Sequence, residues 1–150
     1  AHHITEPDPT GHAPGLAMHM AMADAGIEAA QIDYINMHGT STPVGDPSEI
    51  RVIQKALGVD IAAGVAVSST KSMHGHCLGA TGGVEAAITA MGIANGLIPA
   101  TTNVFELDPI CEGVDHVLGL PRPGQIEVAL SNGFGFGGHN ATIALARFHG

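Results

Sequence analysis

Segments with apolar residues at helical spacing alternate along the chain with short apolar runs. In APGLAMHMAMADAGI, the residues Leu16, Met20, Ala23 and Ile27 recur every three or four positions. This spacing predicts a helix, and Gly26 is typical of a helix end. The runs QIDYINMH and GVAVSST are short and bounded by turn residues, which indicates buried strands.

Two more segments carry helical patterns. In GDPSEIRVIQKALG, Asp46 is placed as an N-cap, Pro47 suits the first helical position, and Glu49 follows three residues after the cap. We therefore interpret Asp46 and Glu49 as a capping pair, and Gly58 as the end of this helix. GATGGVEAAITAMGIANG begins with glycines and is rich in alanine, which favours a helix packed closely on a sheet.

The remaining pattern is dominated by strands. IPATTNV is extended, and DHVLG, IEVALSN and NATIALARF are three late strands. The order α-β-α-β-α followed by β-β-β predicts an α/β fold with a mostly parallel sheet covered by helices. No repeat or linker interrupts the pattern, so residues 1–150 are expected to form one domain without an internal boundary.

Composition and charge exclude several classes of function. The net charge is −9, with five Lys and Arg residues, one Tyr and no Trp. This disfavours nucleic acid and anionic membrane as partners. No membrane span or signal peptide is visible, and two cysteines without a framework indicate free thiols in a reducing, cytoplasmic environment. The chain begins with Ala, so we expect a piece of a longer protein.

Candidate chemistry follows the strands. HGTSTPVGD and STKSMHGHCLGATGG each come after a predicted parallel strand, and ligands bind outside the carboxyl ends of such strands. We therefore expect His38 and His76 to converge on one pocket, where two neutral imidazoles would stabilise an enolate or a tetrahedral oxyanion. Lys71 and Glu85 are expected to pair behind them. The N-terminus of the following helix would help to keep His76 neutral.

Simpler interpretations remain open for these residues. A histidine at a strand end is often a hydrogen-bonded structural residue, and Thr40, Ser41 and Thr42 would satisfy the backbone groups of a turn. GFGFGG is not interpreted as a dinucleotide fingerprint, because it runs into a predicted strand instead of opening a helix.

Ten histidines raise the alternative of a metal-binding module. His74 and His76 form an H-x-H pair to which His139 would add a third ligand. Neither Cys77 nor Cys111 has the spacing of a zinc site, and no carboxylate accompanies the histidines in a known pattern. We therefore predict no metal site.

Four segments in this order, YINMHGTSTPVGD, SSTKSMHGHCLGATGGVEA, IPATTN and SNGFGFGGHNATIAL, closely resemble the C-terminal part of β-ketoacyl-[acyl-carrier-protein] synthases of the elongating type. The resemblance extends from HHITEPDP to ATIALARF. It implies the C-terminal half of a thiolase-like fold, a mixed sheet covered by helices. The first strand of that half is mostly missing, which would leave an unpaired sheet edge. It also implies a homodimer for the full enzyme.

The resemblance implies decarboxylative Claisen condensation in fatty acid biosynthesis, with acyl and malonyl groups carried by acyl carrier protein and with no metal or redox cofactor. By motif match, His38 and His76 bind the malonyl thioester carbonyl. Lys71 supports the second histidine, and Glu85 belongs to the same network.

The same match assigns substrate-binding residues. Thr40 and Thr42 would hydrogen-bond the phosphopantetheine amides. Phe136 would supply an oxyanion-hole N–H and gate the acyl pocket, with Phe134 as its companion.

The family's nucleophilic cysteine lies in the N-terminal half, and neither Cys77 nor Cys111 matches it. We therefore expect this chain alone to be inactive in condensation, with weak malonyl decarboxylation at most. His74 and His139 stand where the family commonly has threonines. Since acyl carrier proteins are acidic, an acidic chain implies that the docking surface belongs mainly to the missing half or to a partner subunit.

Two alternative functions remain. One is a ketosynthase for polyketides or specialised acyl chains. The other is a non-catalytic subunit that completes a ketosynthase-like heterodimer, although retention of His38, Lys71 and His76 argues against a purely structural role.

Overall fold

A computed structural model of the protein describes residues 2–150. The helices are α1 (His12–Ala25), α2 (Gly45–Leu57), α3 (Val59–Ala62), α4 (Lys71–His74) and α5 (Thr81–Asn95). The strands are β1 (Tyr34–Asn36), β2 (Ala66–Ser68), β3 (Leu97–Ile98), β4 (Asp115–His116), β5 (Arg122–Pro123), β6 (Val128–Phe134) and β7 (Asn140–Ala146). Short 3₁₀ turns are formed by Ala29–Gln31, Leu78–Ala80, Pro109–Cys111 and Phe136–Gly138.

The main sheet has the strand order β4-β2-β1-β6-β7. All neighbouring pairs are parallel except β6 and β7, which form an antiparallel hairpin. The strands β3 and β5 form a separate two-stranded ribbon. The predicted mostly parallel sheet is thus confirmed, and the final hairpin makes it mixed.

Side chains alternate across the sheet and build a core on each face. Ile35, opposite Val67 and Leu130 in register, belongs to the cluster that includes Met18 of α1 and Ile53 of α2. Complete burial of an apolar side chain of this size stabilises the fold by about 1.5–3 kcal/mol. Helices on this face are therefore fixed to the strands that carry the candidate site.

The opposite face carries a second core cluster. Tyr34, Ala66 and Ala129 are in register and pack with Ile93 of α5 and with Ile126. The helix α5 therefore packs on this second face of the sheet, as its alanine-rich sequence predicts.

Both predicted helix ends are confirmed, since Gly26 and Gly58 are the C-caps of α1 and α2. The interpretation of Asp46 and Glu49 as a capping pair is wrong. The helix α2 starts at Gly45, and its N-cap residue is Val44, whose side chain makes no capping hydrogen bond. Asp46 accepts hydrogen bonds from the preceding loop, and Glu49 is turned into the interior at 3% exposure.

GFGFGG connects β6 and β7 through a 3₁₀ turn, in agreement with its interpretation as a non-nucleotide loop. Cys77 is exposed, Cys111 is buried, and the two are not paired. None of the helices formed by residues 2–150 combines the length and apolar character needed to cross a bilayer.

Candidate active site

The carboxyl ends of β1, β2 and β6 lie side by side because these strands are adjacent and parallel. The loops that follow them surround a cleft of about 920 Å³. The lining includes seven of the residues singled out in the sequence, namely His38, Thr40, Thr42, His76, Glu85, Phe134 and Phe136. The eighth, Lys71, is bonded to Glu85 from behind.

The two candidate histidines meet in this cleft. The ring centroids of His38 and His76 are 5.6 Å apart, and the rings are nearly perpendicular, at 83°. The predicted convergence of these residues, 38 positions apart in sequence, is confirmed. An oxygen atom entering the cleft can therefore approach two imidazoles at once.

The backbone at His38 is held by a buried carboxylate from α2. Glu49 Oε1 accepts the N–H of His38 at 2.9 Å, and Oε2 accepts the N–H of Gly39 at 2.8 Å. The side-chain amide of Asn132 on β6 donates to Oε1 at 3.1 Å. Burial raises the pKa of Glu49 to about 7, against the lowering effect of these three donors. Glu49 thereby joins the ends of β1 and β6 through α2.

The surroundings of His38 favour its neutral form. Burial lowers the pKa of its imidazole to about 4, and the charge of Lys71 and the neighbouring imidazole of His76 add to this effect. Its Nδ1 atom is buried without a hydrogen-bond partner among residues 2–150. The neutral ring carries one N–H group, which can be donated to a developing oxyanion.

The tautomer of His76 is fixed by the backbone. Its Nδ1 atom accepts the N–H of Leu78 at 3.1 Å and lies 3.0 Å from Thr81 Oγ1. Since Nδ1 is an acceptor, the neutral ring carries its hydrogen on Nε2. Leu78 makes this bond from a left-handed conformation, with φ of 52°, a region that costs a side-chain-bearing residue about 1–2 kcal/mol. The backbone strain at Leu78 therefore accompanies the hydrogen bond that orients His76.

Lys71 and Glu85 form the expected pair. Lys71 Nζ lies 2.6 Å from Glu85 Oε1, and both side chains are almost completely buried. Burial raises the pKa of Glu85, while the hydrogen bond and charge of Lys71 oppose this shift. The charge of Lys71 also helps to lower the pKa of His38, so the pair acts on the cleft electrostatically.

Thr40 and Thr42 occupy the loop after β1. Their hydroxyl oxygens are 3.3 Å apart, and Thr42 Oγ1 accepts the N–H of Gly45 at the start of α2. Asp46 Oδ1 accepts the N–H of Ser41, whose φ is +59°, and that of Thr42. The loop thus presents two hydroxyl groups to the cleft from a backbone that Asp46 holds in place.

The two phenylalanines differ in environment. The Phe134 ring is half-buried with its centroid 6.1 Å from that of His38. Phe136 is 72% exposed in the turn between β6 and β7. The next residue, Gly137, donates its N–H to the carbonyl of Ile4 at 2.8 Å. The N-terminal segment is therefore hydrogen-bonded to the turn that carries Phe136.

Neither cysteine lines the cleft as the structure describes it. Within residues 2–150, no three His, Cys, Asp or Glu side chains converge in a way that would hold a metal ion. His74 and His76, the H-x-H pair of the metal-binding alternative, have different surroundings: His74 contacts Thr70, and His76 faces the cleft. The cleft therefore offers imidazole and hydroxyl groups, and none of its described lining residues is a cysteine.

Sequence reasoning missed Glu49 and Asn132 as parts of the site. A signal for Glu49 existed, since positions 49, 52, 53 and 56 form one helical stripe whose other members are Val52, Ile53 and Ala56. A carboxylate on an apolar stripe indicates a buried acceptor. Asn132 carried no such signal, because only the pairing of β6 with β1 brings it to Glu49.

The comparisons with known proteins agree with this geometry. Residues 1–105 match the family described as "Beta-ketoacyl synthase, C-terminal domain". A relative from Synechocystis sp. named 3-oxoacyl-[acyl-carrier-protein] synthase 2 is 49% identical over 148 residues, or 99% of this chain and 35% of that protein. A relative of the same name from Staphylococcus aureus is 46% identical over the same shares. The chain therefore spans about a third of the length of the curated relatives it matches.

Solved structures show the same fold. A type II PKS ketosynthase, in complex with its acyl-carrier protein and bound to the hexaketide, matches with a TM-score of 0.94 and 31% identity over 99% of this chain and 36% of that one. A beta-ketoacyl synthase from Burkholderia phymatum matches with a TM-score of 0.88 and 36% identity, over 98% and 35%. The predicted thiolase-like ketosynthase fold is confirmed. The chain belongs to the β-ketoacyl synthase family and corresponds to its C-terminal domain.

Proposed function

We propose that the complete protein catalyses decarboxylative Claisen condensation of an acyl thioester with a malonyl thioester, both carried by acyl carrier protein, in fatty acid biosynthesis. The observation that carries this proposal is the pair of imidazoles 5.6 Å apart in one cleft. The names of the relatives from Synechocystis and Staphylococcus support the fatty-acid branch.

The chain's own residues have definite tasks in this reaction. Loss of CO₂ leaves the electron pair of the broken C–C bond on the malonyl unit as an enolate, whose oxygen needs N–H donors. His76 offers Nε2–H because Leu78 occupies its Nδ1 side. His38 adds a second imidazole, which burial and the charge of Lys71 keep neutral, and Glu85 holds Lys71 in place behind the cleft.

The second half of the reaction needs a group that this chain does not supply to the cleft. The enolate carbon attacks an acyl thioester, the new C–C bond forms, and the thiolate leaves. We propose that a cysteine outside residues 1–150 carries the acyl group. The chain then forms one partial ketoacyl-synthase domain. We further propose that the full enzyme is a cytoplasmic homodimer. Thr40 and Thr42 would bind the phosphopantetheine arm, and Phe134 and Phe136 would border the acyl group.

A polyketide ketosynthase is the second candidate function. It is favoured by the match to the type II PKS ketosynthase, whose TM-score is 0.94. The identity to that protein is 31%, against 49% for the Synechocystis relative, so fatty acid synthesis remains the first proposal.

The test is an assay of the complete polypeptide with acyl-[acyl carrier protein] and malonyl-[acyl carrier protein], with products identified by mass spectrometry. We expect a 3-oxoacyl product extended by two carbons. His76→Leu should abolish it, whereas His19→Leu, an exposed histidine on α1, should leave it unchanged. Repeated extension without reduction would favour the polyketide alternative. No product and no CO₂ release would overturn the proposal.

A further inference from the structure

His74 is a titratable residue near the cleft to which the proposed function gives no task. It closes α4, three residues after Lys71, and stands where the resemblance leads one to expect threonine. Its Nε2 atom lies 3.3 Å from Thr70 Oγ1. Its Nδ1 atom is buried and has no hydrogen-bond partner among residues 2–150. Nε2 is therefore the ring nitrogen that bonds to the protein, and Nδ1 is buried without a bond.

Thr70 leads from His74 to the centre of the sheet. Thr70 and Asn36 are both fully buried. The Thr70 hydroxyl lies 3.3 Å from Asn36 Oδ1, and the Asn36 amide is within 3.4 Å of the Thr89 hydroxyl and the carbonyl of Glu85. Thr89 Oγ1 also donates to that carbonyl at 2.8 Å. The network thus joins β1, two residues before His38, to the backbone of the residue that binds Lys71.

The hydrogen positions on His74 decide which group donates in each bond of this network. If His74 carries its hydrogen on Nε2, it donates to Thr70, Thr70 donates to Asn36 Oδ1, and the two N–H groups of Asn36 reach Thr89 and Glu85. Every donor is then satisfied. If the hydrogen were on Nδ1, a buried N–H would have no acceptor, which costs more than an unused lone pair. In that tautomer Thr70 would give its hydrogen to His74 Nε2 and accept the Asn36 amide, whose nitrogen lies 3.2 Å from the Thr70 hydroxyl, so the chain would run in the opposite direction.

We propose that His74 is a positioning residue that acts as the first donor of this chain in its Nε2–H form. By fixing the orientation of the Asn36 amide, it sets the distance between the strand end that carries His38 and the α5 backbone at Glu85. A threonine side chain at position 74 ends in a hydroxyl group on Cβ and is too short to place a donor where His74 Nε2 lies. The effect on the reaction rests on the proposed function, whereas the hydrogen-bond chain does not.

The test compares three variants of the complete polypeptide. His74→Leu removes the donor, and His74→Gln keeps an N–H near the position of Nε2. His19→Leu is the matched control on α1. We expect His74→Leu to lower the kcat of malonyl decarboxylation about fivefold to tenfold with KM nearly unchanged, as for loss of one orienting hydrogen bond. His74→Gln should restore most of the rate.

Nuclear magnetic resonance supplies a readout that does not depend on activity. Long-range ¹H–¹⁵N spectra should show His74 as the Nε2–H tautomer, and the Asn36 side-chain amide signals should move in His74→Leu and not in His19→Leu. An Nδ1–H tautomer, unmoved Asn36 signals, or equal rates for the leucine and glutamine variants would overturn the inference. A folded wild-type protein without decarboxylase activity would instead overturn the proposed function, and the spectra would still decide the role of His74.

Discussion

At the scale of single residues, the site prepares its two imidazoles by different means. His38 is kept neutral by burial and by nearby positive charge. His76 is exposed, and its tautomer is fixed by a backbone N–H. Burial therefore sets the charge of the His38 ring, whereas a backbone hydrogen bond sets the tautomer of the His76 ring.

The neutral state of His38 gives the first prediction. Its ring should titrate near pH 4 in the folded protein, against an ordinary value of 6.5. Between these values the unfolded chain binds more protons than the folded chain, so His38 makes stability fall as the pH is lowered from 6.5 to 4. Ring chemical shifts followed against pH measure this. Lys71→Met should move the midpoint upward while leaving it below 6.5, because burial is the larger cause. A wild-type midpoint near 6.5 would contradict the prediction.

Glu49 gives a pH prediction of opposite sign. Burial raises its pKa from 4.5 to about 7. Between these values the folded protein holds a proton that the unfolded chain has released, so this carboxyl makes stability fall as the pH rises from 4.5 to 7. Glu49→Gln removes the titration. The free energy of unfolding of the wild type, minus that of the variant, should therefore decrease across this range. Urea unfolding at several pH values tests this, with the exposed Glu106→Gln as control. A constant difference would mean that Glu49 stays ionised.

At the scale of elements, the turn after β1 decides where His38 points. Gly39 has a φ of +31°, and a Cβ built on it would lie 2.7 Å from Ser69 Cβ. Ser69 in turn donates its hydroxyl to the carbonyl of Gly39 at 2.6 Å. The turn therefore packs against the end of β2 with no room for a side chain.

Gly39→Ala should consequently destabilise the fold and reduce activity. Overpacking of this kind costs about 1–3 kcal/mol, and a shift of about 1 Å in His38 would lower the rate by about a hundredfold. The control is Gly15→Ala in α1, where a Cβ meets no atom within 4 Å and where removal of a helical glycine should stabilise by about 0.5–1 kcal/mol. Thermal unfolding and decarboxylation rates measure both. A Gly39→Ala variant as active and as stable as the wild type would show that the turn is not constrained.

Local patterns predicted those elements whose sequence signal lies within a single segment of the chain. The runs that contain Tyr34–Asn36 and Ala66–Ser68 are strands, and the loops after them bring His38 and His76 together. The pattern D-x-x-E misled, because a capping pair and a buried carboxylate share it. What separates them is contact with Asn132, which is 83 residues from Glu49 and reaches it only through the sheet. Such pairings are properties of the tertiary structure.

At the scale of the whole molecule, the cleft has its histidines and no thiol from this chain. Residues 1–150 alone should therefore form no carbon–carbon bond from acyl and malonyl thioesters. Weak release of CO₂ from a malonyl thioester should remain only if His38 and His76 keep their geometry, so His76→Leu should remove it. Mass spectrometry of the products and a CO₂ assay test both statements. Robust condensation by the isolated chain would contradict the proposal that the acylated cysteine lies elsewhere.

Charge at the same scale indicates where an acidic carrier protein would dock. The net charge is −9, and three of the five cationic side chains already pair with carboxylates: Lys71 with Glu85, Arg122 with Asp115, and Arg147 with Glu127. Arg51 and Lys55, on one exposed face of α2, have no carboxylate partner within 4 Å among residues 2–150. Two neighbouring cations are a weak attractor on a chain whose net charge is −9.

Reversing both of these charges therefore tests where the carrier binds. In the complete polypeptide, Arg51→Glu combined with Lys55→Glu should change the KM for the carrier-bound substrate by less than about threefold, because electrostatic steering depends on patches of matching charge. The kcat should not change, since neither side chain lines the cleft. KM should still rise with ionic strength in wild type and variant alike, as expected if basic residues outside this chain attract the carrier. A large increase in KM that salt no longer affects would place the docking surface on α2 instead.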